Sequence, residues 1–326
     1  MKAMGHLVNY VEVFEVVTAE NFDEELYLRE NQDVREAVED GKVKSGLQHF
    51  TRHGHKEQRK QGKRNYLPDV IALRKKKAER IKKILKPDAI VSQKSDYILD
   101  SITEEKKTKF NFESTEKVSS FFYDSVPLDI INSLPEGLIL DCGAGFRPVY
   151  YENVVNYEIA PYPTTDVLGF AEQLPFADNS FDAVFSFAVL EHVKYPFAAA
   201  RELSRVLKPG GQLAVCAAFL QPLHGYPHHY FNMTAPGLKV LFEEDIEIER
   251  QFINSGTGPI STLTWFLREW GENLPKDVRK KFYKMKVGDL IGQPYEHADK
   301  SFVTCLPEKT CFELACATLM TGRKRR

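Results

Sequence analysis

Apolar positions along this chain change their period several times. Leu138-Ile139-Leu140 and Val154-Val155 belong to short apolar runs that close on Asp141 and Glu158. Unbroken runs of this length predict strands buried on both faces. Ala183 to Phe187 and Gln212 to Ala217 predict two more. Between these, Pro196 to Leu207 carries apolar residues at helical spacing, and Lys208-Pro209-Gly210-Gly211 ends it as a glycine-rich stop. Strand and helix therefore alternate, the pattern of an α/β domain, here placed at residues 112–326. Ser114 to Ile131 predicts a helix or two ahead of the first strand, with Phe121, Phe122 and Tyr123 either over a pocket or in the core.

Upstream the period is three to four. Phe22 to Val34, Gly46 to Phe50 and His53 to Arg59 predict a small helical module over residues 1–65. Val70, Leu73, Lys77, Ile81 and Leu85 predict one stripe of a basic helix within a linker over 66–111. Arg74, Lys75, Lys76, Arg80, Lys82 and Lys83 should cover its remaining faces in solvent. Downstream, Ile246 to Ile253 and Phe312 to Met320 alternate, so they predict an antiparallel edge pair. A helical insertion at about 256–308, with Trp265 and Trp270, lies between them.

Charge sharpens this division. Net charge is only −2, yet residues 1–40 hold eleven acids against three bases, and residues 42–86 hold sixteen bases against three acids. A basic helix at 70–86 can touch an anionic membrane surface, but packing on its own protein is the commoner outcome. No nucleic-acid module accompanies it, so no nucleic-acid partner is expected. No apolar run reaches transmembrane length and the first ten residues lack a secretory pattern, so a cytoplasmic protein is expected. Five cysteines without metal or disulfide spacing fit a reduced compartment.

The chemistry begins at Asp141-Cys142-Gly143-Ala144-Gly145, where glycines let the backbone approach a ligand at a strand end. Seventeen positions on, Glu158 ends the second strand, placed to accept from both hydroxyls of a ribose. An NAD fingerprint is the competitor, but it wants a third small residue where Pro148 stands. With Ala171-Glu172-Gln173-Leu174-Pro175-Phe176, Asp178 to Asp182, Leu190-Glu191-His192-Val193 and Lys208-Pro209-Gly210-Gly211, five motifs run in order from Asp141 to Gly211. In this the chain resembles the class I S-adenosylmethionine-dependent methyltransferases, in particular the type 11 group. The resemblance implies a Rossmann-like seven-stranded, mostly parallel sheet, with S-adenosylmethionine as cofactor. It implies that Asp141, Gly143 and Gly145 meet the methionine end, Glu158 the ribose, and Ala171 and Glu172 the adenine. Phe170 stands where the family commonly has Asp or Asn, and Glu172 can equally be a turn cap.

The acceptor should sit at the carboxyl ends of the fourth and fifth strands. There the sequence offers Glu191-His192 and a loop rich in His and Tyr, from His224 through Tyr226, His228, His229 and Tyr230. His192 and His224 are the candidate general bases for a hydroxyl acceptor. Tyr226, His228, His229 and Tyr230 are candidate acceptor contacts, or anchors for a helix capped by Thr234. No metal is expected, although His224, His228 and His229 have a spacing that could ligate one. The 1–65 module resembles short helical modules on bacterial surface-glycan enzymes, which implies O-methylation of a sugar or glycan-linked acceptor. Methylation of a small metabolite or quinone-type lipid, and a scaffold without turnover, are the alternatives.

Overall fold

The computed structural model describes residues 8–87, 89–93, 97–112, 120–225, 228–254, 256–291 and 294–314. Its first elements are β1 (Tyr10–Glu12), β2 (Phe14–Val16), α1 (Glu24–Glu30), α2 (Gln32–Glu39), α3 (Gly46–His49) and β3 (Lys60–Gly62). Asp23 and Ser45 cap α1 and α3 by accepting from Leu26 N and Gln48 N. Tyr27, Val34 and Phe50 form a small core there, which β2 and β3 close as an antiparallel pair. Strands thus accompany the helices that periodicity predicts in this region.

Next come α4 (Leu67–Lys82), β4 (Ser92–Gln93), β5 (Leu99–Asp100), α5 (Glu104–Phe110) and α6 (Ser125–Ser133). Then β6 (Ile139–Cys142), β7 (Val149–Tyr151), β8 (Val154–Glu158), β9 (Val167–Leu168), β10 (Phe181–Phe187), α7 (Pro196–Val206) and β11 (Leu207–Cys216) follow. Seven of these strands make one sheet in the order β11-β10-β6-β8-β9-β5-β4, parallel except for the last pair. This is the Rossmann-like α/β arrangement, with its order reversing at β6. Every residue of β6 and β8 is buried, as their unbroken apolar runs require. Pro196 occupies the first turn of α7, where its missing N–H costs nothing. Lys208 to Gly211 form an irregularity, with Gly210 at φ +75°, between Leu207 and Gln212 on β11.

Three features depart from the sequence reading. The antiparallel edge is β4 on β5, taken from residues ahead of the domain. Residues 246–253 are irregular instead, with Ile248 and Ile253 exposed and no strand among the described residues paired with them. Phe312 falls in a short helix, Glu308–Glu313, and residues 315–320 lie outside the described residues. Secondly, no helix joins β6 to β8. The chain runs from the glycine turn into β7, which pairs antiparallel with β1. Pro148, just before β7, gives its carbonyl to Val13 N.

Thirdly, α4 buries two of the basic residues along its length. Arg74 and Lys77 are 1% and 0% exposed, whereas a solvated position was expected of Arg74. Lys77 Nζ stands 2.8 Å from an Asp166 oxygen, and Arg74 Nε 3.5 Å from the other. Tyr150 OH donates to Asp166 as well, and Asn156 N donates to it at 2.9 Å. Burial pulls the Lys77 ammonium down and Asp166 opposes that shift. The helix is thereby clamped to the sheet through charge.

After β11, α8 (Ala235–Val240), α9 (Pro259–Glu272) and α10 (Lys276–Phe282) follow, with shorter turns to residue 313. Leu274, Val278 and Phe282 pack with Trp270 and Phe302 into a separate core. No helix among the described residues is long and apolar enough to cross a membrane.

Candidate functional site

The sheet order reverses between β6 and β10, so a crevice is expected at their carboxyl ends. Gly143 lies just beyond β6 at φ +79°, and a Cβ there would sit 2.1 Å from Val189 Cγ2 of the loop after β10. Only glycine fits this close approach. Gly145, also at positive φ, donates its N–H to Glu158 Oε2 at 2.8 Å, and Ile159 N donates to Oε1 at 2.7 Å. Each Glu158 oxygen therefore retains acceptor capacity, although burial raises its pKa against those two N–H groups.

Asp141 is fully buried. Arg147 Nε donates to its Oδ2 at 2.7 Å, and Tyr123 OH donates to the same oxygen. The guanidinium lies between the Phe121 and Tyr123 rings, 4.0 and 4.3 Å from their centroids. Burial lowers the Arg147 pKa, but Asp141 and Tyr123 outweigh that, and the net shift is upward. Among the described residues Asp141 Oδ1 has no hydrogen-bond partner. In doubly wound sheets a helix N-terminus follows the glycine turn; here that helix is missing and Arg147 supplies the positive charge.

Ala171 is buried, and Glu172 Oε1 accepts from Lys194 N at 3.1 Å, tying the loop after β9 to the loop after β10. Burial raises the Glu172 pKa. This carboxylate also borders a cavity of about 680 Å³ lined by Phe110, Tyr195, Phe197, Phe231 and Met233, with Lys109, Lys194 and Arg201 around it.

The histidines divide into two groups. His192, His224 and His229 converge beyond β10 and β11, with centroids 5.1 Å apart for His192–His224, 5.4 Å for His192–His229 and 4.3 Å for His224–His229. Trp265 of α9 packs on His224 at 5.0 Å. Burial pulls His192 down to about 4, helped by the neighbouring imidazoles, while the His228 carbonyl opposes it. Burial also lowers His229. His228 and Tyr230 instead meet Asn111, the left-handed residue that ends α5: the Asn111 amide lies 2.9 Å from His228 Nε2 and 3.4 Å from Tyr230 OH. Tyr226 lies outside the described residues.

Glu191 completes the first group. It is 1% exposed, accepts from Ala218 N at 3.2 Å through Oε1, and leaves Oε2 without a partner among the described residues. Burial pushes its carboxyl up to about 7. Sequence reasoning placed Glu191 in the loop but gave it no role. Its apolar neighbours Leu190 and Val193 were the available sign that the carboxylate goes inward. Arg147 was missed altogether, although a cation six positions after Asp141 in a shortened turn was legible.

Comparison with known proteins bears on part of this region. The family described as "Methyltransferase domain" matches residues 142–215. Among curated proteins, an uncharacterized protein, YafE, of Escherichia coli is 55% identical over 47 residues, 14% of this chain and 23% of that protein. A demethylmenaquinone methyltransferase of Renibacterium salmoninarum is 51% identical over 59 residues, 18% of this chain and 24% of its own. The chain thus spans about a quarter of the length of these relatives. Among solved structures, a putative methyltransferase from Bacillus halodurans shares 21% identity at a TM-score of 0.28, covering 50% of this chain and 80% of that one. At that score the likeness adds nothing to what the strand order shows. Residues 142–215 are therefore similar to a methyltransferase domain, and they lie on a Rossmann-like, mostly parallel sheet.

Proposed function

We propose that the chain transfers a methyl group from S-adenosylmethionine to a hydroxyl of a sugar or surface-glycan-linked acceptor. When bound, the cofactor supplies a methyl group on a sulfonium, already activated for displacement. The residues present fit it. Asp141 Oδ1 is a buried acceptor without a donor, suited to an ammonium, and Arg147 beside it suits a carboxylate. Glu158 keeps acceptor capacity on both oxygens for ribose hydroxyls. Ala171 and Glu172 would flank the adenine. What is left for the chain is to align the acceptor and remove one proton.

The observation that carries this reading is the convergence of His192, His224 and His229 at the carboxyl ends of β10 and β11. An imidazole whose Nδ1 bonds a carbonyl offers a lone pair at Nε2 for a hydroxyl proton. His192 and His224 both have that arrangement. The sugar class is supported by the N-terminal module's resemblance to those of surface-glycan enzymes.

A second reading is a quinone-type lipid or other small aromatic acceptor. The aromatic lining of the 680 Å³ cavity favours it, as does the relative named a demethylmenaquinone methyltransferase.

The test is calorimetric titration with S-adenosylmethionine and S-adenosylhomocysteine, followed by methyl-label transfer to glycan fragments and to demethylated quinols. Label on a glycan hydroxyl is the expected outcome. Label on the quinol ring would replace it with the second reading. Cofactor binding without transfer to either class would point to a scaffold, and no cofactor binding would overturn the proposal altogether.

A further inference from the structure

The group formed by Glu191, His192 and His224 has a property that proton transfer does not need. One ligand atom from each lies within 4.8 Å of the other two, the one such cluster of His, Cys and carboxylate groups among the described residues. We propose that these three residues bind a divalent transition-metal ion, zinc by the chemistry of the donors, as a two-histidine, one-carboxylate site.

Three observations carry it. Both imidazoles are fixed through Nδ1 to a backbone carbonyl, His192 to His228 O at 2.8 Å and His224 to Pro222 O at 2.9 Å. A carbonyl can only accept, so each Nδ1 carries the proton and each Nε2 keeps its lone pair. Carbonyl partners of this kind hold and orient metal-bound histidines. His229 is arranged the other way: its Nδ1 accepts from His224 N at 3.2 Å, so its Nε2–H donates to Asn232 Oδ1 at 2.8 Å. It therefore has no lone pair to spare, which limits the set to three.

Glu191 supplies the second observation. A carboxylate oxygen that is buried and has no donor is costly unless a proton or a cation meets it. Among the described residues no Lys or Arg forms an ion pair with it, as Lys77 does with Asp166. Thirdly, Gly225 brings the chain past His192 at φ +81°, where a Cβ would stand 2.5 Å from His192 Cε1. The backbone is thus closed tightly over the imidazole.

Two His and one Glu are a donor set used by catalytic zinc, which leaves a fourth position for water or substrate. Donors about 2.1 Å from a tetrahedral ion are about 3.4 Å apart. The 4.8 Å bound leaves at most about 1.4 Å to close by side-chain rotation. In the methyltransferase reading, an ion holding both Nε2 lone pairs would take over from the imidazoles: it would acidify an acceptor oxygen at the fourth position, whose proton would then pass to solvent. The binding itself does not depend on that reading.

The experiment uses the full chain, stripped with a chelator and titrated with Co²⁺, then with Zn²⁺ in competition. One equivalent of Co²⁺ per chain with intense tetrahedral visible bands, displaced by Zn²⁺ and accompanied by a higher Tm, is expected. Glu191→Gln and His192→Ala should each weaken binding by more than about 10-fold, the lower range for disturbing a metal shell. Far-UV circular dichroism and calorimetric S-adenosylmethionine binding on the same samples separate a lost site from a lost fold. His53→Ala, which removes a ring paired with His49 in the N-terminal region, should leave binding unchanged. Substoichiometric binding, an octahedral spectrum, or affinity lost in His53→Ala and kept in the other two variants would overturn the proposal. S-adenosylmethionine binding that survives any of those results leaves the methyltransferase reading standing separately.

Discussion

Two buried carboxylates flank the centre of the sheet, and the fold treats them in opposite ways. Asp166, just before β9, is met by Lys77, Arg74, Tyr150 and the Asn156 N–H. Glu191, just after β10, has one donor on Oε1 and, among the described residues, none on Oε2. Burial is alike, 1% exposure in each case. The first cluster is completed by the protein itself, and its two cations come from a helix that must be docked. In the second, the proposed metal ion would supply the missing partner. Satisfaction of buried polar atoms, rather than burial or charge, separates a structural cluster from a site.

The sharpest way to break this contrast is Asp166→Ala. It strands Lys77 and Arg74 beside β8 without their shared carboxylate, and removing one partner of a buried pair costs about 3–5 kcal/mol. Urea unfolding should show that loss, and Asp166→Leu combined with Lys77→Met should recover part of it. A change below about 1 kcal/mol, the range of exposed pairs, would mean that α4 is held by its apolar stripe alone.

The intermediate case is Glu158, a buried carboxylate whose two donors leave room for more. Glu158→Ala should weaken S-adenosylmethionine binding by about 1.5–3 kcal/mol, the range for hydrogen bonds to a charged group. Burial raises its pKa above an ordinary glutamate, and only the ionised form accepts from both ribose hydroxyls. Affinity should therefore be complete above that raised pKa and fall as pH drops through it. Calorimetry across mildly acidic pH checks this. Glu158→Gln should flatten the profile, and an unchanged slope in that variant would assign the pH dependence elsewhere.

What the sequence made legible follows the same division. Continuous apolar runs announced β6, β8 and β10, and a 3.6-residue period announced α7, because each signal is local. Gly143 and Gly145 were readable because positive φ and close approach leave glycine few substitutes. Arg74 was read as solvated because its partner stands at position 166, far outside any window. β4 and β5, two residues each, are too short to carry a period. The helix missing after β6 left one trace, the seventeen-residue interval from Asp141 to Glu158, too short for a turn, a full helix and a strand. Of the site, His192 and His224 were found by residue type, while their convergence with Glu191 depends on two loops meeting after separate strands.

The smallest expected effect tests the other side of the contrast. In chelator-treated protein, Glu191→Gln should change stability by less than about 1 kcal/mol. The Ala218 N–H bond survives, because the Gln carbonyl accepts as Oε1 does. Oε2 has no donor to lose, and the substitution takes a charge out of a buried position that held no counter-ion. The same exchange at Asp166, to Asn, removes the negative charge from two buried cations and should cost several-fold more. Parallel denaturant curves on Glu191→Gln and Asp166→Asn measure the difference directly. Equal losses in the two variants would mean that Glu191 is completed by partners within the chain, and the contrast would fall.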